Sequence, residues 1–183
     1  MIITVKNIKI KNGKELTLKS PLPEDAQNLL NHLKIVASQS YQNMNFPKNY
    51  WDTFPVEEEA KILTDFSASP SKFMISAFDG DRIIGNLGCF GMGGDFLKFN
   101  ARIGMGLEKE FHNLGLGNFL LKYAIEIAKK NNFHRLELSV RTFNLPGIAL
   151  YEKIGFRRIG VLKEIAFIDG KFHDEFIYEM LLN

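Results

Sequence analysis

Residues 2–10 alternate along Ile2, Thr4, Lys6, Ile8 and Ile10, and Glu15–Lys19 alternates again with Leu16 and Leu18 apolar. Asn12-Gly13 between them is a tight-turn pair, so the chain is expected to open with a β-hairpin. Pro21 and Pro23 then stop the strand. Glu24-Asp25 place negative charge ahead of an apolar stripe at Ala26, Leu29, Leu30, Leu33 and Val36, which predicts a first helix. Gln39–Trp51 shows no period, and its aromatic and amide residues (Tyr41, Asn43, Phe46, Tyr50, Trp51) read either as a loop over a binding site or as an irregular connection. A second helix is predicted from about Pro55 to Phe66, closed by Ser67–Ser71.

The period then changes from helix to strand. Phe73–Phe78, Arg82–Phe90 and Phe96–Leu107 read as three strands of a meander, turning at Asp79–Asp81 and Gly91–Asp95. Gly115 and Gly117 precede a strong 3.6-residue pattern at Leu116, Phe119, Leu120, Tyr123, Ala124, Ile127 and Ala128, a helix ending near Lys130. A strand at Arg135–Val140 follows, then a short helix from about Pro146 to Lys153 with Gly155 at its C-cap. Phe156–Ala166 and Phe172–Leu182 form a closing antiparallel pair joined through Ile168–Lys171. The expected fold is α+β, a mostly antiparallel sheet with one strand–helix–strand crossover at Phe96–Val140.

Composition narrows the class. At 183 residues the chain suits a single domain over 1–183 with a full core. A hydrophobic fraction of 45%, a charged fraction of 24% and a formal charge of +2 describe a globular chain with no pull toward nucleic acid. No apolar run is long enough to span a membrane, and the first residues alternate instead of forming a signal block, so a cytoplasmic location is expected. Cys89 is the lone cysteine, expected to be a buried inert thiol. His32, His112, His134 and His173 show no ligand spacing, so no metal is expected.

Candidate chemistry gathers at Ile103–Leu121. A strand, a glycine turn and a helix in that order place backbone N–H groups and a helix dipole where an anion would bind. Gly117 is not followed by the lysine and hydroxyl of a P-loop, and Leu120 stands where a dinucleotide fingerprint needs glycine or alanine. Phe111-His-Asn-Leu-Gly-Leu-Gly-Asn-Phe-Leu-Leu121 resembles instead the acyl-CoA pyrophosphate loop of the GCN5-related N-acetyltransferase (GNAT) superfamily. Asn144-Leu-Pro-Gly-Ile-Ala-Leu-Tyr-Glu-Lys-Ile-Gly-Phe156 resembles that family's Asn-x-x-Ala-x-x-x-Tyr-x-x-x-Gly-Phe segment. The likeness covers Lys72–Met180 well and the first seventy residues in outline.

The resemblance implies a GNAT-like fold with splayed central parallel strands and flanking helices. It also implies transfer of an acetyl group from acetyl-CoA to a primary amine of a small molecule or protein N-terminus, by direct attack without an acyl-enzyme. Met105, Gly106 and Leu107 would offer main-chain groups to the pantetheine and the oxyanion, and His112, Asn113, Leu114, Gly115, Leu116, Gly117 and Asn118 would form the pyrophosphate loop. Asn144 would hydrogen-bond the pantetheine arm, and Tyr151 would protonate the departing thiolate. His112 stands where the family has glutamine or arginine, Asn113 where glycine is frequent, and Gly147 where alanine is common.

The strand run Asn100–Leu107 lacks the carboxylate that serves some members as base, so Glu137 is the candidate through water. Arg102 is read as a solvated strand residue that could also hold an acidic group of the acceptor. Asp174 and Glu175 on the last hairpin are candidates to attract a cationic amine. Acetyl-CoA and the amine are the expected partners, and a homodimer is left open. The rival reading is a catalytically weak CoA-binding regulatory domain of the same fold; a nucleotide-binding protein is a third.

Overall fold

The computed structural model describes residues 1–182. Asn183, the last residue of the expected domain, lies outside them. Lys6–Lys9 (β1) and Glu15–Lys19 (β2) form the opening hairpin, turned at Gly13 with φ +86°. Ala26–Ser40 (α1) and Val56–Ala68 (α2) follow, then the meander Lys72–Asp79 (β3), Arg82–Gly91 (β4) and Asn100–Leu107 (β5). A four-residue helix, Gly94–Leu97 (α3), interrupts the meander before β5. Leu116–Lys130 (α4), Arg135–Arg141 (β6), Leu145–Ile154 (α5), Arg157–Ile168 (β7) and Lys171–Leu181 (β8) complete the chain.

The eight strands make one sheet in the order β1-β2-β3-β4-β5-β6-β8-β7. Every neighbouring pair is antiparallel except β5 and β6, which run parallel with α4 as their crossover. Helices cover both faces, which is the expected α+β arrangement. Strand β3 shows why both faces need cover: all its inner positions are buried. Phe73, Ile75 and Ala77 pack into the cluster that holds Leu116, Leu120, Leu121, Ala124 and Ala128 of α4. Met74 and Phe78 meet Ala26 and Leu29 of α1 and Leu63 and Phe66 of α2.

Three expectations change. The third strand begins at Asn100, not Phe96. Gly93 and Gly94, at φ +72° and +68°, turn the chain into a helical turn on which Phe96 is almost wholly exposed, so its alternation faces no core. The stretch read as irregular from Gln39 instead begins inside α1 and continues through 3₁₀ turns at Tyr41–Asn43 and Tyr50–Asp52. Its aromatics pack on one another, Phe46 on Tyr50 at 4.4 Å between ring centres and Trp51 edge-on to both. The opening strand starts at Lys6, leaving Ile2 and Thr4 outside it.

What positions a site is the parting of the two parallel strands. Their pairing runs from Asn100↔Arg135 through Arg102↔Glu137 and stops. Beyond it, Gly104–Leu107 pairs only with β4 and Ser139–Arg141 only with β8. The facing backbone edges are left unpaired, a V-shaped opening through the middle of the sheet.

Candidate active site

One arm of the V ends in a main-chain cradle. The chain leaves β5 at Glu108, a buried residue whose carboxylate is ion-paired with Arg82 and accepts from His32 Nδ1–H at 3.3 Å. The Lys109 amide donates to Gln39 Oε1 at 2.8 Å, so α1 holds the exit of β5 through two side chains. Phe111 is buried as an apolar anchor. His112 then turns back, its Nε2–H donating to the Leu107 carbonyl at 3.1 Å. A carbonyl can only accept, which fixes the proton on Nε2.

From Asn113 onward the backbone does the work. Asn113 at φ +61° and Gly115 at φ +89° are left-handed, and Gly115 is the N-cap of α4. The six successive amides of residues 113–118 donate to no acceptor among the described residues. Left-handed residues alternating with ordinary ones turn successive N–H groups to one side, and the first turn of α4 adds its unpaired amides and dipole. Gly117 is buried, and a Cβ there would stand 2.8 Å from Leu150 Cδ2 and 3.6 Å from Met105 Cε. Glycine here lets α4, α5 and the end of β5 converge without displacing the Leu150 side chain.

The other arm leads to α5. Asn144 caps that helix, its Oδ1 accepting from the Gly147 amide at 3.1 Å, which leaves Nδ2 without an acceptor among the described residues. Gly147 is explained by the same cap: a Cβ there would lie 2.9 Å from Asn144 Nδ2. Tyr151 is half-buried, its ring packed against the main core and near Tyr178 and Phe156. Burial pushes its phenol up to about 12, so it stays protonated at neutral pH. The hydroxyl makes no hydrogen bond within the described residues and is a donor in waiting.

On the opposite face of the sheet, a cavity of about 900 Å³ opens beside the V. Its floor carries Arg102, Glu137, Ser139, Arg141 and Glu175, and its walls come from residues 41–48 and the β7 end of the last hairpin. Arg141 is buried, ion-paired with Glu175 and donating through Nη2 to the Met44 carbonyl and to Asn45 Oδ1, both at 3.1 Å. Glu137 is held by Arg102 at 2.7 Å and Arg135 at 2.9 Å. Burial raises its pKa, but the two arginines outweigh burial and leave it below the usual carboxylate range. It is ionised, and weakly basic.

The residues expected to attract a cationic amine are spoken for. Asp174 binds Lys163 at 2.7 Å and the Glu164 amide at 2.8 Å, and Glu175 is neutralised by Arg141. Asp169, to which the sequence assigns no separate role, behaves differently. It sits at the hairpin turn with φ +51°, and its Oδ2 accepts from Tyr41 Oη at 2.8 Å and Gln42 Nε2 at 3.0 Å. Those hydrogen bonds, Gln42 first and Tyr41 second, lower its pKa, and the nearby His173 adds a smaller lowering. The buried Glu108 and Arg141 were also missed. Cys89 is buried in the sheet, and burial pushes its thiol up to about 12.

This geometry meets its family at a measurable point. The acetyltransferase (GNAT) family model matches residues 39–156, more than half of the chain, including the splayed strand, the cradle, α4 and α5. The chain belongs to the GNAT family. It is 28% identical over 174 residues to the SPbeta prophage-derived uncharacterized N-acetyltransferase YokL of Bacillus subtilis, covering 92% of this chain and 90% of that one. An N-alpha-acetyltransferase of Sulfurisphaera tokodaii is 24% identical over 169 residues, 88% of this chain and 91% of the relative.

Among solved structures, a GNAT acetyltransferase from Streptococcus pneumoniae superposes with a TM-score of 0.85 at 26% identity, over 92% of this chain and 99% of that one. The fold is shared as well by yncA of Salmonella typhimurium, solved with its cofactor acetyl-CoA. That match has a TM-score of 0.81 at 12% identity, over 92% of this chain and 94% of the other. The protein is therefore an acetyltransferase of the GNAT fold, from a family that uses acetyl-CoA. The cradle suits such a co-substrate, because unpaired amides seek an anion.

Proposed function

We propose that this protein transfers the acetyl group of acetyl-CoA to a primary amine, with both substrates bound together. The six unsatisfied amides of residues 113–118 at the exit of a splayed strand carry this reading. They would hold the diphosphate, while the open backbone edges of Met105, Gly106 and Leu107 and the Nδ2 of Asn144 would hold the pantetheine arm. When bound, acetyl-CoA supplies an activated acetyl group on a thioester.

The chain's own residues then position and protonate. Main-chain N–H groups at the open end of β5 face the carbonyl oxygen that gains charge when the amine attacks. Tyr151 donates its proton to the departing sulfur, a role suited to a hydroxyl that is protonated and has no competing partner. Glu137, committed to two arginines, is a poor base. The acceptor must therefore lose its proton largely to water, which favours an amine of low basicity such as an α-amine, with a reference pKa near 8. The cavity on the far face would take the acceptor's body, with Asp169, whose hydrogen-bond partners are neutral side chains, meeting a cation at its rim. The whole chain is read as one such transferase unit.

Thiol release from acetyl-CoA, measured across α-amino, aliphatic and amino-sugar acceptors, tests the reading. Turnover on at least one amine is expected. Replacing Tyr151 by phenylalanine should lower kcat by about a hundredfold with acetyl-CoA affinity unchanged; undiminished kcat would remove Tyr151 as the acid. Tight acetyl-CoA binding with no thiol release on any amine would favour a regulatory domain instead.

A further inference from the structure

The cradle has no cation of its own. Residues 113–118 are Asn, Leu, Gly, Leu, Gly and Asn, and His112 is turned to the Leu107 carbonyl. A diphosphate held by amides alone would leave much of its charge uncompensated at the protein surface. A lysine arrives from a distant part of the chain. The turn between β1 and β2 lies against the cradle, where the Lys11 amide donates to the Leu114 carbonyl at 3.0 Å. A Cβ built on Gly115 would stand 4.0 Å from Lys11 Cγ, so the lysine stem runs beside the residue that opens α4.

The ammonium of Lys11 is exposed and has no ion pair or hydrogen bond among the described residues. Two other lysines of the same hairpin are committed elsewhere: Lys6 to Glu126, and Lys14 to Asp79. Lys9 lies along the hairpin's own turn, its Cε 3.9 Å from where a Cβ on Gly13 would be. The backbone hydrogen bond to Leu114 fixes the root of Lys11, while its stem keeps the freedom to follow a ligand.

We propose that Lys11 binds the diphosphate of acetyl-CoA, supplying from the N-terminal hairpin the positive charge that the glycine loop lacks. The assignment rests on the acetyl-CoA reading above and adds a residue outside the matched motif. It explains how a loop carrying His112 in place of a longer donor retains an anion: the cation is moved to another strand pair. Lys11 is a binding residue, so its loss should appear in affinity and KM for acetyl-CoA, with kcat at saturation unchanged.

Calorimetric titration of the full chain with CoA and with 3′-dephospho-CoA, at low and high salt, tests the assignment directly. Replacing Lys11 by alanine should weaken both ligands by the same factor, about tenfold at low salt. The deficit should shrink at high salt, and Lys11→Arg should restore most of the affinity. An exposed side chain whose backbone bond is kept leaves folding intact, which thermal unfolding of each variant verifies. Unchanged affinity, a loss confined to CoA, or a loss insensitive to salt would each overturn the diphosphate contact. If the unaltered chain binds neither ligand, the acetyl-CoA reading fails first, and a titration of that chain alone reveals it.

Discussion

The two sides of the V are made of different materials. The cradle side presents bare backbone, with six amides unpaired and no charged side chain among residues 113–118. The cavity side is lined by side chains already engaged with one another: Arg141 with Glu175, Glu137 with two arginines, and Asp169 with Tyr41 and Gln42. A backbone site depends on where the chain is allowed to go, whereas a side-chain site depends on partners brought from far along the sequence. The first tolerates exchange of side chains, and the second fails when one partner is removed.

Breaking the cavity side should produce the largest effect. Arg141→Ala would leave Glu175 buried without its cation, and a loss of about 3–5 kcal/mol in unfolding free energy is expected. Removing both partners should cost less than removing Arg141 alone. Equal stability of the single variant and the unaltered chain in urea titration would show that the pair is not structural.

Next comes Glu59 on α2, in the helical layer on that face, as a test of buried charge without a partner. Burial raises its pKa to about 7, so the folded state favours the neutral acid. Below the unfolded pKa near 4.5 the group is protonated in both states and costs nothing. As pH rises toward 7 the unfolded chain releases the proton first and stability falls; above 7 the full penalty stands. Glu59→Gln should therefore stabilise the protein by on the order of 3 kcal/mol at pH 8 and by nothing at pH 4, read from unfolding curves at the two pH values.

The cradle should respond to backbone change and little else. Gly115→Ala forces a Cβ onto a residue at φ +89°, a strain of about 1–2 kcal/mol, and acetyl-CoA affinity should fall by roughly tenfold with acceptor KM unchanged. Replacing Asn118 by serine should leave that affinity intact. The smallest effect belongs to the rim. Asp169→Asn should raise KM for a cationic acceptor without moving acetyl-CoA affinity, and equal KM values would remove Asp169 from acceptor recognition.

The same contrast governs what could be read before the fold was seen. Gly115, Gly117 and the Asn144–Phe156 segment were legible because they act through local backbone conformation, which a short run of residues encodes. Asn144 even performs both jobs open to it, with Oδ1 capping α5 and Nδ2 left over. The pairings that line the cavity were illegible for the opposite reason. Asp169 meets residues 127 and 128 positions away, and Arg141 meets Asn45 across 96. No window of sequence holds both partners. Asp174 and Glu175 stood out as a charged pair on one hairpin, yet their counter-ions Lys163 and Arg141 lie on other strands. Phe96–Phe99 misled because alternation implies a strand only where one face has something to pack against.

The six amides carry a consequence for how this enzyme can be surveyed and how it can drift. A hydrogen bond given by the main chain has no side chain to delete, so a scan by alanine replacement would be almost silent at Asn118, and at Leu116 it would read lost core packing instead of the amide. Such a scan would credit the opposite face with nearly all of the function. For the same reason the letter at 118 is free to wander over generations while the curve of the backbone is kept. Asn113, standing where the family frequently has glycine, marks the limit of that freedom, because φ +61° admits asparagine more readily than most other side chains.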